Sequence, residues 1–467
     1  MKELKIKKEE ILSRLIKNLA IHSHKYLLMV LILILFVPLA YNLANHKPLI
    51  MGEESYYHLN QAKTINYSNF YYLFLGLIIN FLPEWVLLVF IYAFCILSVM
   101  MLIKISQKIK KPAYFTFFFL LFLLLSPSTI FNFTTISANA FFLFLVLSAF
   151  TLALSKNEKL PKYSIIPLIA ATFIDVVSTL ILGILVYFFL YPKKEKLAKR
   201  YLILISVSLL LNLLFLKQSF FLGPFHQQNW LSDAISDLGG ISGISFFVII
   251  LAFIGIKNAW KAKDLRFNFL FLLLFAVMYF YNTRAVFLLA FPLALLAAFG
   301  FSSLLEKAIK SNKASSSILK NFTLLLVILG LLFSATTYLS RINSFSPTSE
   351  EREALVWIND NTDANAIVYS TPENGQQINY FAERRAFASF RDVESEEVSE
   401  RILSSIYIQE LFPLLGENNI SLLYLTEDVK EELPKDQGLI FLLKNERFKL
   451  LYSTNLTEVW EFSGQIS

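Results

Sequence analysis

The sequence predicts a polytopic α-helical membrane protein that ends in a small α/β domain. Three observations predict it. Of 467 residues, 56% are hydrophobic and only 16% charged, where soluble domains run about a quarter charged. Apolar runs near the thickness of a bilayer recur from residue 26 to residue 339. Beyond about residue 342 the composition turns polar, rich in Glu, Asn and Ser, with short β-type runs. Phe alone contributes 46 residues, and mean hydropathy is +0.57. A soluble core of this length does not hide that much apolar surface.

Residues 1–24 interleave Lys2, Lys5, Lys7, Lys8, Arg14 and Lys17 with Leu4, Ile6, Ile11, Leu12, Leu15 and Ile16. That pattern predicts a basic amphipathic helix lying on anionic membrane lipids at the cytoplasmic face. A transmembrane domain over 25–341 follows, with apolar runs at 26–44, 84–103, 113–127, 135–155, 163–174, 176–191, 201–216, 244–256, 267–282, 285–304 and 321–339. These give about eleven spans, the shorter ones accommodated by bilayer thinning or tilt. Asp175 sits at the join of the two shortest runs and reads as the cap of a hairpin.

Charge placement orients the chain. With the N-terminus cytoplasmic, nearly every Lys and Arg of the short connections falls inside, and the outer loops hold Lys47, Lys63, Lys217 and Arg284 alone. The predicted location is a plasma membrane, with the domain at 345–467 outside it. A net charge of +7 spread over such loops does not read as a nucleic-acid surface. The single cysteine, Cys95, excludes an internal disulfide and a thiolate metal site. The first apolar run is too long for a cleavable signal peptide. No phosphate-binding glycine loop or zinc spacing is present, so an ATP-driven pump is unsupported.

Two outer loops, 45–83 and 217–243, are long. The first holds Gly52-Glu53-Glu54-Ser55-Tyr56-Tyr57-His58 and then an apolar stretch, Phe70 to Leu82, expected to lie along or dip into the surface. The second holds His226, Gln227, Gln228, Asn229, Trp230, Asp233, Asp237 and a Gly239-Gly240 break. In the tail, Ser349-Glu350-Glu351-Arg352 opens a helix, and strands are predicted at 366–370, 420–425, 448–452 and 458–462.

Unpaired carboxylates collect in the outer segments. Neighbouring Glu53 and Glu54 repel, and hard oxygen ligands suit a divalent cation, Mg²⁺ or Mn²⁺. Two roles fit: metal ligand against a lipid-linked phosphate, or general base toward an acceptor hydroxyl. A helix N-terminus also favours such acids without any chemistry. His58, four residues after Glu54, shares its helix face, as a ligand, a phosphate donor or an interface histidine. Arg284 suits bidentate phosphate binding and equally a salt bridge to an outer acid. Asp233 and Asp237, spaced i, i+4, fit sugar or metal contacts if one helix carries both, and fit a solvated loop as well.

Several stretches carry a resemblance. A basic N-terminus, one span and an acidic outer loop resemble the GT-C superfamily of membrane glycosyltransferases. Glu54-Ser55-Tyr56-Tyr57-His58 is similar to the Asp-Pro-Tyr-Tyr-His motif of archaeal oligosaccharyltransferase catalytic subunits, with Glu54 in the place of the metal-binding Asp. Arg284-Ala285-Val286-Phe287 running to Gly300 resembles the late span whose Arg contacts the lipid phosphate. Glu353-Ala354-Leu355-Val356-Trp357-Ile358, then Val368-Tyr369-Ser370, resembles the lead-in to the WWDYG acceptor motif. The motif itself is degraded to Thr371-Pro372-Glu373-Asn374-Gly375, and Ser126 to Ala140 lacks the expected second acid.

The resemblance implies sugar transfer from a polyprenyl-phosphate or polyprenyl-diphosphate donor to an extracytoplasmic protein, lipid or glycan. Glu54 and Glu53 would be catalytic and metal-binding, Arg284 and His58 would bind donor phosphate, and Asp233, Asp237, Tyr57 and Glu373 would bind substrate. It does not imply glycosylation of Asn-x-Ser/Thr sequons, since both motif tryptophans are absent. The missing second acid leaves a non-catalytic envelope-assembly or lipid-handling protein as the alternative; donor, acceptor and oligomeric state are not legible. The topology predicts that cysteines placed at 54 and at 284, in a Cys95→Ser background, both react with an impermeant thiol reagent added outside intact cells. Labelling of either one only after permeabilisation sinks the shared outer compartment.

Overall fold

The computed structural model describes residues 2–63, 69–107, 112–155, 157, 159–190, 195–211, 230–240, 242–261, 267–281, 285–310, 314–342, 346–389, 393–433 and 438–464. They form two compact units, Met1–Leu39 with Asn66–Ile342, and Ala40–Ile65 with Asn343–Ser467. Residues 40–65, expected within the transmembrane domain, thus group with the polar tail.

The first unit is helical. Among the described residues, four helices are long and apolar enough to cross a membrane: His22–Ala44, Trp85–Ser106, Ala285–Glu306 and Leu325–Ile342. A fifth is counted if Ala113–Leu124 and Pro127–Thr134, bent by 64°, form one broken span. The bend falls at Leu125-Ser126, just before Pro127, where the proline ring disfavours helical backbone. Runs 135–155 and 267–282 fold as the shorter apolar helices Ala138–Ala153 and Asn268–Tyr279, below the length that crosses a hydrocarbon core of ~30 Å unaided, and the stretch expected at the surface forms Phe70–Phe81. Among the described residues, helix length and composition therefore mark four or five of the eleven expected spans.

Packing in this unit relies on aromatic rings and on close backbone approach. Phe74 stacks on Phe141 with centroids 4.9 Å apart, and Phe94 packs against Phe141 and Phe144 at 5.0 and 4.8 Å. Helices Phe246–Lys261 and Ala285–Lys310 meet glycine to glycine: a Cβ on Gly255 would strike the Leu296 carbonyl, and one on Gly300 the Leu251 carbonyl. Small residues at such a crossing let dispersion act between backbones, the main attraction left where lipid replaces water. Asp175 caps helix Val176–Leu190 as predicted, accepting from the Ser178 amide at 2.9 Å and its hydroxyl at 2.6 Å.

The second unit is built on a five-stranded sheet: β1 Ile367–Tyr369, β2 Arg385–Ala386, β3 Ile420–Leu425, β4 Phe448–Ser453 and β5 Glu458–Phe462. The order is β2-β1-β3-β5-β4, with β1 parallel to β2 and β3, and the other pairs antiparallel. Alternation along β3 sends Leu422 and Tyr424 to one core with Leu355 and Ile358 of helix Ser349–Asn361, and Leu423 and Leu425 to the other with Leu411 and Leu415. That helix starts in a capping box: the Thr348 hydroxyl accepts from the Glu351 amide at 3.2 Å, and the Glu351 carboxylate accepts from the Thr348 amide at 2.6 Å. Arg384 closes its other end by donating to the Asn359 and Thr362 carbonyls, each at 2.7 Å.

Replacing Gly300 with Val should separate the two crossing helices and lower the melting temperature of the detergent-solubilised protein, while Leu293→Val, at a half-buried position of the same helix, should change it far less. An unchanged melting curve for Gly300→Val would show that the crossing does not carry the fold.

Candidate active site

The acid-bearing loop folds into helix Glu53–Lys63, with both acids in its first turn. Gly52 precedes it with φ 82°, a left-handed conformation that side chains resist. The start is fastened by the Ser55 amide donating to the Gly52 carbonyl at 3.0 Å and the Tyr56 hydroxyl donating to the Ile50 carbonyl at 2.9 Å. Ser55, Tyr56, His58, Leu59 and Ala62 are buried.

The partner is the segment after the degraded motif, Gly375–Gln377 and the wider-wound Ile378–Ala382. Tyr56 packs on Tyr380 and Phe381, with ring centroids at 5.4 and 5.1 Å. The Asn60 amide donates to the Gln376 carbonyl at 3.2 Å. Lys63 donates to the Tyr380 carbonyl at 3.3 Å, pairs with Glu383 at 3.0 Å, and sits 4.3 Å above the Tyr380 ring. Gly375 is needed for close approach, since a Cβ there would strike the Ala388 carbonyl and press on Ser389.

The site's charge lies along this contact. Glu54 Oε1 is 2.9 Å from His58 Nε2, with the histidine side chain 1% exposed and the glutamate 23%. Tyr57 lies beside the imidazole at 5.4 Å between centroids. Glu373 is exposed on the turn Pro372–Asn374. Burial, and then the nearby Glu373 and Glu54 carboxylates, push Glu53 well above the usual carboxylate range, with the Gln376 amide opposing the shift. Three neighbouring acids of one sign fit a divalent cation electrostatically. Among the described residues, however, no group of three or more His, Cys, Asp or Glu side chains has metal-holding geometry. A cation here would draw its remaining oxygens from a ligand such as a phosphate.

The other sequence candidates divide. Arg284 and residues 217–229, with His226, Gln227, Gln228 and Asn229, lie outside the described residues. Asp233 and Asp237 do not share a helix face: helix Trp230–Ala234 ends between them, Ile235 bridges to Ile244, and Asp237 lies in the tight turn Ser236–Leu238. Asp237 accepts from the Phe246 amide and the Ser334 hydroxyl, both at 2.6 Å, so it fastens the start of helix Phe246–Lys261. Asp233 is half-buried and shifted up by desolvation. The acid-free segment 126–140 is stitched by amides instead: Asn132 accepts from Ser137 at 2.6 Å and Asn139 at 2.8 Å and donates to the Ser128 carbonyl at 2.7 Å. Sequence reasoning missed Asn60, Lys63 and Gln376. A stripe at i, i+3, i+7, i+10 (Glu53, Tyr56, Asn60, Lys63) was the available signal.

No family model and no curated protein matches the sequence. Solved structures do match by fold. The Archaeoglobus fulgidus oligosaccharyltransferase in complex with Zn and sulfate is similar at a TM-score of 0.55 and 9% identity, over 87% of this chain and 68% of that one. The same enzyme tethered to an acceptor peptide containing the NVT sequon gives 0.53 and 11%, over 94% and 74%. ArnT from Cupriavidus metallidurans bound to undecaprenyl phosphate gives 0.50 and 12%, over 93% and 97%. At such identity the likeness is one of fold: the chain has the fold of the GT-C membrane glycosyltransferases, distantly similar to archaeal oligosaccharyltransferase with its WWDYG motif degraded.

The raised Glu53 sets a pH dependence. Its proton is retained in the folded state beyond the pH at which an unfolded glutamate loses it, so its contribution to stability is full at acidic pH and falls as pH rises through the folded value. Glu53→Gln should therefore raise the melting temperature by a few degrees at pH 8 and by much less at pH 4. A pH-independent difference would remove the like-charge crowding.

Proposed function

We propose that the chain is a membrane glycosyltransferase that moves a sugar from a polyprenyl-phosphate or -diphosphate donor to an acceptor outside the cell. The observation that carries this reading is Glu54, partly exposed on the first turn of its helix and paired at 2.9 Å with buried His58, in a chain with the fold of lipid-linked sugar transferases. The N-terminus is cytoplasmic in this reading, about eleven segments cross the membrane, and the polar unit is extracytoplasmic.

In the proposed reaction Glu54 takes the proton of an acceptor hydroxyl. The acceptor oxygen then bonds to the anomeric carbon as the bond from that carbon to the phosphate oxygen breaks, and the carrier phosphate leaves with the electron pair. His58, with Nε2 2.9 Å from Glu54 Oε1, holds the carboxylate in place. Arg284 is the cation assigned to the donor phosphate. Glu373 and Tyr57 face the acceptor, and Asp233 is assigned to sugar hydroxyls. A divalent cation beside Glu53, Glu54 and Glu373 would supply neutralisation of the leaving phosphate.

One observation favours a second reading. Segment 126–140 holds an amide and hydroxyl network where the related fold's second acid is expected, which suits a protein that keeps the scaffold for lipid handling without transfer. Glu54→Gln decides between them. It should insert and fold as the wild type yet consume polyprenyl-phosphate sugars at least about a hundredfold more slowly, the usual scale for losing a general base. Equal consumption by the variant removes Glu54 from the mechanism, and no consumption by the wild type across a panel of donors favours the lipid-handling reading.

A further inference from the structure

The polar unit carries a motif that sugar transfer by this chain does not use. Asn455-Leu456-Thr457 is an Asn-x-Ser/Thr triplet with no proline at its centre, the acceptor pattern for N-linked sugar. Two other such triplets have described side chains, Asn132-Phe133-Thr134 and Asn419-Ile420-Ser421; Asn66 and Asn321, which begin two more, lie outside them. The fold treats the three differently. Asn132 is 2% exposed, and its amide is fully engaged: Oδ1 accepts from Ser137 and Asn139, and Nδ2 donates to the Ser128 carbonyl at 2.7 Å. A sugar has no room on that nitrogen. Asn419 is exposed in left-handed backbone, φ 53°, and its triplet runs straight into β3. There β1 and β5 flank the strand, and Ile420 is 2% exposed.

Asn455 lies instead in the turn 454–457 that joins β4 to β5, and it is exposed. The turn is fixed without its side chain. The Thr454 amide donates to the Thr457 carbonyl at 2.8 Å, and the Thr454 hydroxyl accepts from the Leu456 and Thr457 amides at 3.3 and 3.0 Å. The Leu456 amide also reaches the Glu350 carboxylate at 3.3 Å. A substituent on the Asn455 amide nitrogen therefore breaks none of these bonds. Thr457 is the opposite case: it is 0% exposed, with its hydroxyl 2.9 Å from that of Thr454. An enzyme that reads the triplet through this hydroxyl does not reach it in the closed hairpin. The order that follows is sugar first, hairpin second. β5 takes its place between β3 and β4, so the turn closes only when the end of the tail joins strands made earlier in the chain.

We propose that Asn455 is an N-glycan acceptor, modified outside the membrane by a separate oligosaccharyltransferase before the β4–β5 turn closes. The co-substrate is a lipid-diphosphate oligosaccharide. The Asn455 amide nitrogen gives one proton to a base of that enzyme and bonds to the anomeric carbon. The bond from that carbon to the phosphate oxygen breaks, and the lipid diphosphate leaves with the electron pair. This inference rests on the extracytoplasmic placement of the polar unit in the reading above, and not on the transfer chemistry assigned to Glu54.

The experiment isolates the full-length chain from the membranes of the cells in which it occurs, as wild type, Asn455→Gln, Thr457→Ala and Thr457→Ser. Mass spectrometry reads the tryptic peptide that follows Lys449 and holds Asn455. In the wild type this peptide should carry an oligosaccharide, with fragment ions placing it on Asn455. Asn455→Gln and Thr457→Ala should lose it, and Thr457→Ser, which keeps the hydroxyl, should retain it. A sugar that survives Thr457→Ala overturns the triplet as the recognition element. A companion variant, Glu446→Cys in a Cys95→Ser background, reports the compartment, since Glu446 is exposed on the same unit. A bare Asn455 peptide with Glu446→Cys labelled by an impermeant thiol reagent outside intact cells overturns the acceptor site and leaves the glycosyltransferase reading standing. A bare peptide with labelling only after permeabilisation overturns the outer placement and this inference with it. For the order of events, unmodified protein made in a host without such a transferase is mixed with membranes of the native cells as the source of enzyme and donor. Folded protein should stay bare and urea-unfolded protein should accept the sugar. Equal modification of the folded form overturns the order.

Discussion

Everything in the candidate site depends on one contact, the helix Glu53–Lys63 laid against the segment Gly375–Ala382. An acidic helix start exposed on a loop would be held only by its own caps. Here Tyr56 is buried between rings, and Lys63 bridges a carbonyl, a carboxylate and an aromatic face. These contacts place carboxylates from two distant stretches of chain near each other. The like-charge repulsion they create is carried by Glu53, which burial and its neighbours drive toward the protonated form. Glu54, in the same first turn, lies 2.9 Å from the ring of buried His58.

The coarse architecture was legible in the sequence because it follows from composition and period. Apolar runs, the change near residue 342, four of the five strands and the hairpin cap at Asp175 all rest on local rules. Helix lengths were less legible, because an apolar run reports hydrophobicity and not the length of the helix it forms. Run 113–127 bends before Pro127, and run 135–155 forms the helix Ala138–Ala153 of sixteen residues. The strand β2 is two residues long, and Arg384 beside it is tied to the end of helix Ser349–Asn361, a long-range contact that no local window contains.

The site was half legible. Glu54 and His58 were found by spacing, since i, i+4 on a short helix fixes their meeting. Asp233 and Asp237 were misjudged by the same rule, because the chain leaves the helix at Ile235 to bridge Ile244. A spacing argument holds only where the helix continues. Asn60 and Lys63 escaped notice because polar residues on an exposed-looking helix read as solvated. Their role emerges only when the helix is seen as two-sided, with Glu53, Tyr56, Asn60 and Lys63 forming a stripe of contacts.

The distribution of charge between the two units bears on the chemistry proposed. In the helical unit Asp237 is committed to a helix start, Asp233 is disfavoured as an anion by desolvation, and 126–140 offers neutral amides and hydroxyls. In the other unit Glu53, Glu54, Glu373 and His58 are neighbours. A phosphate-linked sugar needs its leaving charge balanced and its acceptor deprotonated. Neutral groups bind and orient well but do neither task at neutral pH. In the proposed reaction, acid–base work would therefore fall to the Ala40–Ile65 and Asn343–Ser467 unit. There a polar tail and a loop of the first connection have become parts of a single fold.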